Sequence, residues 1–173
     1  MDRSDPGLTA LLADHLPSGQ EYGTEIRGLI SARSVVIVRN VLAVVVGTCV
    51  WMVAFYALAT GLAQLWPDYA LHARQWVRDG AFTFTAAMAC CNLALWVLAE
   101  IAAGWVAAKI GTARTAVWVL AVLVGLYLAA VHLLLYWPHF PWWYNLGVVI
   151  PAVPAVLWGE RLAVRAKHPP PTA

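Results

Sequence analysis

Residues 81–110 read AFTFTAAMACCNLALWVLAEIAAGWVAAKI. One amide, Asn92, and one acid, Glu100, interrupt an apolar run that closes on Lys109. A helix needs about 20 apolar residues to cross the hydrocarbon of a bilayer, so this run is long enough to span. In lipid each backbone N–H and C=O must find its partner inside the structure, which makes the spanning conformation a helix. The alternating pattern of a membrane β-barrel is absent.

Working outward, three more runs have the same character: 35–65, 115–137 and 142–160. Trp66-Pro67-Asp68 ends the first, Gly111 follows the second as a helix C-cap, and Pro138 stops the third. The fourth carries Pro151 and Pro154, each of which removes a backbone hydrogen bond. The segment from Trp66 to Gly80 is amphipathic and reads as a short surface helix. The expected fold is all-α, an integral membrane four-helix bundle (35–165) with a polar N-terminal arm (1–34) and a disordered tail (166–173). Within the arm, Leu8 to Leu16 and Thr24 to Arg33 have helical spacing.

Composition agrees. The chain has 173 residues, 62% of them hydrophobic and only 12% charged, about half the charge of an ordinary soluble domain. Its mean hydropathy is +0.70. A net charge of +2 gives no reason to expect nucleic acid as a partner. No basic start followed by an apolar stretch marks a cleavable leader, so the first span is expected to be its own insertion signal. Cys49, Cys90 and Cys91 lie inside apolar runs, which suits small hydrophobes and not a disulfide framework. That argues against a four-span thiol oxidoreductase, which needs cysteines in its outer loops.

Four spans put the N-terminus, the loop between spans two and three, and the C-terminus on one side. Arg3, Arg27, Arg33, Arg39, Lys109, Arg114, Arg161, Arg165 and Lys167 fall there; only Arg74 and Arg78 fall opposite. Basic loops stay in the cytoplasm, so both termini are expected to be cytoplasmic. Trp137, Trp142, Trp143 and Tyr144 then crowd the outer turn between spans three and four. This aromatic hairpin reads as an interfacial belt, or as a platform for a lipid or aromatic ligand.

Small residues recur at four-residue spacing: Ala99, Ala103, Ala107 and Gly111 on span two, Ala121, Gly125 and Ala129 on span three, Ala43 and Gly47 on span one. Such stripes let helix backbones approach. Spans two and three are expected to pack tightly.

Glu100 is the candidate polar site. At 1.5 Å per residue it sits about 13 Å from the inner end of its helix, where a bare carboxylate costs several kcal/mol. Gly47, Thr48, Trp118, Ala121 and Pro151 are expected at its depth. Pro151 frees the carbonyl of Gly147 to accept from a protonated Glu100, and Arg39 is the nearest cation. One reading is structural, an acid holding helices together; the other is proton-coupled transport. His132 lies about 20 Å away along the normal, which opposes a direct relay, and is read as an interface residue near the outer surface. Asn92 reads as an interhelical hydrogen bond. His72 and His139 read as ordinary surface residues. No catalytic set, phosphate loop, metal spacing or cofactor ligand pair is legible, so no enzyme activity is expected.

Residues 102–109 (AAGWVAAK), 141–144 (PWWY), and Pro151 with Pro154 before 159–163 (GERLA) carry a resemblance. From about 35 to 163 the chain is similar to a family of small, uncharacterised bacterial four-span inner-membrane proteins. The resemblance implies the topology and a place in the bacterial cytoplasmic membrane, and carries no functional residue over. The function expected is that of an accessory or assembly protein, or else a small proton-coupled transporter or channel using Glu100. The bilayer, a second copy or another membrane protein are the partners implied.

Overall fold

In a computed structural model of the protein, residues 19–80 and 82–166 are described, with side chains from 32 onward. The expected helical turn at Leu8 to Leu16 and most of the tail lie outside them. Five helices follow in order: α1 (Gly19–Leu65), α2 (Pro67–Asp79), α3 (Ala86–Ile110), α4 (Arg114–Ala129, continued by a π-helical turn Ala130–Leu135) and α5 (Trp142–Arg165). The second arm segment, Thr24 to Arg33, belongs to α1, which starts well before the apolar run. By its contacts the chain divides into two units, Met1–Val38 and Arg39–Ala173. In the first, Val35, Val36, Ile37 and Val38 are exposed. The second holds the bundle described below.

Among the described residues, four helices are long and apolar enough to cross a membrane: Ala32–Leu65, Ala86–Ile110, Arg114–Leu135 and Trp142–Arg165. Large apolar side chains such as Val53, Leu123, Leu126, Ile150 and Trp158 point outward. Water would make that surface unstable, whereas lipid solvates it. The chain is a multi-pass membrane protein with an all-α four-helix bundle.

The element ends correct the expected boundaries. α3 starts at Ala86, not at 81, because the Thr85 hydroxyl caps it by accepting from the Met88 N–H at 3.3 Å. Phe82 and Phe84 just before it pack against the core. α5 continues to Arg165 through both prolines. Gly111 does cap α3, but in extended rather than left-handed backbone (φ −63°, ψ 153°), with its N–H on the Ala107 carbonyl. The left-handed cap is Gly80 (φ 66°), which ends the surface helix α2.

Packing also departs from expectation. α3 lies most extensively on α5, and only modestly on α4. The cause is a pair of glycines outside the expected stripes. A Cβ on Gly104 would overlap the Val156 carbonyl, and one on Gly159 would overlap the Ile101 carbonyl and lie 2.7 Å from the Trp105 nitrogen. Without side chains there, the two backbones touch. The stripe Ala99, Ala103 and Ala107 is fully buried. α1 enters at Gly47, where a Cβ would meet Leu120 at 2.6 Å and Ala107 at 3.3 Å.

Polar contacts finish the end of the bundle that carries Lys109 and Arg114. Arg39 donates to the Ile110 carbonyl at 3.1 Å, and Asn40 accepts from the Thr112 N–H and hydroxyl, both at 3.1 Å. Arg114 pairs with the nearly buried Glu160 at 3.3 Å, tying α4 to α5.

Gly104→Ala and Gly159→Ala should each destabilise the bundle by about 3 kcal/mol or more, since the added methyl meets backbone that cannot rotate away. Gly61 has nothing within 4 Å of such a methyl, so Gly61→Ala should be neutral or stabilising by a few tenths of a kcal/mol. Thermal unfolding of the three variants in one detergent tests the contrast.

Candidate functional site: an aromatic cavity at the hairpin end

At the end of the bundle opposite Lys109, α1 to α5 and the hairpin enclose a cavity of about 360 Å³. This is the size of an ordinary ligand site. Trp51, Phe55, Trp76, Trp96, Tyr136 and Phe140 supply most of its aromatic wall. Phe55 stacks on Trp96 with centroids 3.7 Å apart, and Phe140 on Tyr144 at 5.0 Å. Amphipathic α2 roofs it with Tyr69 and Trp76.

Two polar ladders cross this wall. Tyr69 on α2 donates to Asn92 Oδ1 at 3.2 Å, and Asn92 Nδ2 on α3 donates to the Tyr144 hydroxyl of α5 at 2.7 Å. Asn92 thus makes interhelical hydrogen bonds, as its position in the sequence suggests. In the second ladder His132 Nδ1 meets Asn145 Oδ1 at 3.0 Å, while Asn145 Nδ2 donates to the Phe140 carbonyl at 3.2 Å. The carbonyl can only accept, which assigns Nδ2 to it and leaves Oδ1 for the imidazole. Nδ1 of His132 therefore carries the proton.

A π-turn places His132. The Tyr136 N–H bonds the Val131 carbonyl, five residues back, at 3.0 Å. Such turns insert one residue into a helix and re-aim its side chains, often at functional sites. His132 is 3% exposed, within ring contact of Trp96, Tyr136, Phe140 and Tyr144. It is a buried wall residue rather than a surface one. The hairpin aromatics divide the same way: Trp137, Trp142 and Trp143 are exposed, as a belt requires, but Tyr144 is 2% exposed and points inward. His72 is also tied in, at 2.8 Å from the Thr83 hydroxyl.

Glu100 is fully buried, and neither of its oxygens has a hydrogen-bond partner. Neither partner considered for it is bonded to it: Arg39 donates to the Ile110 carbonyl instead, and no bond joins the acid to the carbonyl freed by Pro151. Glu100 and His132 share no hydrogen bond, and Glu100 does not line the aromatic cavity. Among the described residues no group of three or more His, Cys, Asp and Glu is placed to hold a metal ion.

No sequence pattern pairs Tyr69, Trp96, His132 and Asn145 as members of one site. The signal available was that Asn92, His132 and Asn145 each lie toward the same end of a span. No protein family, curated protein or solved structure compared with this chain matches it.

Tyr69 lies outside the spans, and burial, with a smaller contribution from Cys91, holds its hydroxyl above the ordinary tyrosine value. The folded protein then keeps this proton when the unfolded chain has lost it. Stability should be intact below about pH 10 and decline as pH rises beyond. Unfolding followed in detergent across that range should show the decline, and Tyr69→Phe should reduce it.

Proposed function

We propose that this protein is a non-enzymatic accessory or assembly protein of the bacterial cytoplasmic membrane that holds a small amphipathic molecule in its aromatic cavity. The observation that carries the reading is the cavity itself. About 360 Å³ of space is walled by rings, and most of the polar groups around it are bonded to one another. Groups bonded to one another in this way hold the wall in shape. The charge asymmetry, nine Lys and Arg against two, supports an orientation with both termini in the cytoplasm. The cavity then faces the outer leaflet. A second copy or another membrane protein is the partner class this reading implies.

Proton-coupled transport through Glu100 is the second reading, favoured by one fact: a buried acid with two unpartnered oxygens. Such groups in membrane helices are often functional. Against it stands the absence of Glu100 from the cavity lining.

Glu100→Gln and Glu100→Ala separate the two. In the structural reading the glutamine replaces a neutral acid of the same shape and shifts stability by about 1 kcal/mol or less, while alanine leaves a hole costing about 2 kcal/mol or more. Proton flux into proteoliposomes should be equal for the native chain and Glu100→Gln. A flux present in the native protein and abolished in the glutamine variant would replace the accessory reading by transport.

A further inference from the structure

The chemistry of the cavity wall narrows its ligand, on the reading that the cavity binds one. Asn92 has one amide between two tyrosine hydroxyls. Its oxygen accepts from one tyrosine and its nitrogen donates to the other, whichever way the amide is turned. One of the two hydroxyl protons is therefore unspent. The second ladder leaves the converse. His132 donates from Nδ1 to Asn145, so a neutral imidazole keeps a lone pair on Nε2, and no bond to it is formed. The wall thus offers one free donor and one free acceptor. The imidazole and Tyr144 rings are 6.1 Å apart at 48°.

The remaining surface selects a flat, apolar body. A cavity of about 150 Å³ holds one benzene ring; this one is about 360 Å³ and largely aromatic. Its rim includes Met52 and Tyr56 of α1 and Tyr127 of α4, all exposed and all inside candidate spans. The opening therefore meets hydrocarbon, and a tail leaving through it would enter the bilayer. Trp51 adds a buried indole N–H with no partner in the same wall.

We infer that the cavity takes a hydroxyl-bearing ring with an apolar tail, a phenol-type amphiphile. Its hydroxyl accepts from the Tyr69–Asn92–Tyr144 ladder and donates to Nε2 of His132. A methyl ether of the same shape cannot donate, and leaves Nε2 without a partner.

The test uses the full chain in lipid nanodiscs, dialysed against empty nanodiscs of the same lipid. The probes are 4-octylphenol, its methyl ether and octylbenzene. The phenol should bind saturably and about tenfold more tightly than the ether. His132→Phe should erase that preference while octylbenzene binding is retained. Tyr69→Phe, at the cavity roof, should weaken phenol and ether alike relative to octylbenzene, because both oxygens accept the ladder's free proton and Tyr144 can then turn that proton to Asn92; this loss carries the test if His132→Phe does not fold. Equal binding of phenol and ether, a preference that survives His132→Phe, or phenol and ether binding unchanged by Tyr69→Phe overturns the ligand class and leaves the cavity reading standing. Binding no greater than to empty nanodiscs for all three probes overturns both.

Discussion

Where Gly104 faces Val156 and Gly159 faces Ile101, two helix backbones meet without an intervening side chain. The rest of the bundle is arranged around that contact. Lipid offers no hydrophobic drive for helices to associate, so close packing and hydrogen bonds must hold them. The glycine contact brings α3 and α5 together side by side, running in the same direction. Further along, the same pair passes from backbone contact to side-chain contact, with Leu93 set on Gly147 and Asn92 bonded to Tyr144. α1 and α4 then complete the bundle, through Gly47 against Leu120 and through the Arg114–Glu160 pair.

Polar groups in the bundle follow a consistent economy. An unpaired polar group in a low-dielectric interior is costly, and Asn92, Asn145, Tyr144 and the imidazole Nδ1 are all bonded. Glu100 breaks the pattern, with two buried, unpartnered oxygens. Glu160 Oε2 is likewise without a partner, beside the pair with Arg114, and the aromatic cavity holds further unspent groups, the Trp51 indole N–H among them. Fully buried Glu100 and the roomy aromatic cavity are the places where the molecule has chemical capacity beyond holding itself together.

Much of the fold is legible residue by residue. The apolar runs are long because a bilayer is thick, and Pro67, Gly80 and Pro138 punctuate them for backbone reasons that need no neighbour. The amphipathic segment after Trp66 is a helix for the same local reason. Asn92 is readable as an interhelical bond because an amide in a span has few alternatives. Glu100 stands out because a lone acid in an apolar run has an evident cost. Tyr144 was harder: in sequence it is one more ring in an aromatic turn, and only the helical register after Pro141 turns it inward while Trp142 and Trp143 face out.

The sequence by itself determined four spans, an all-α bundle and the asymmetry of charge, because these depend on length, local backbone chemistry and counts of side chains. Only the tertiary structure decided which helices touch. Small residues are abundant in every span, and the contact chosen at Gly104 and Gly159 depends on two segments fitting at once. The cavity likewise gathers side chains from five helices and the hairpin, and a π-turn no periodicity announces sets His132 in its wall. Side-chain partnership across helices is a property of the packed whole, and no single stretch of the chain contains it.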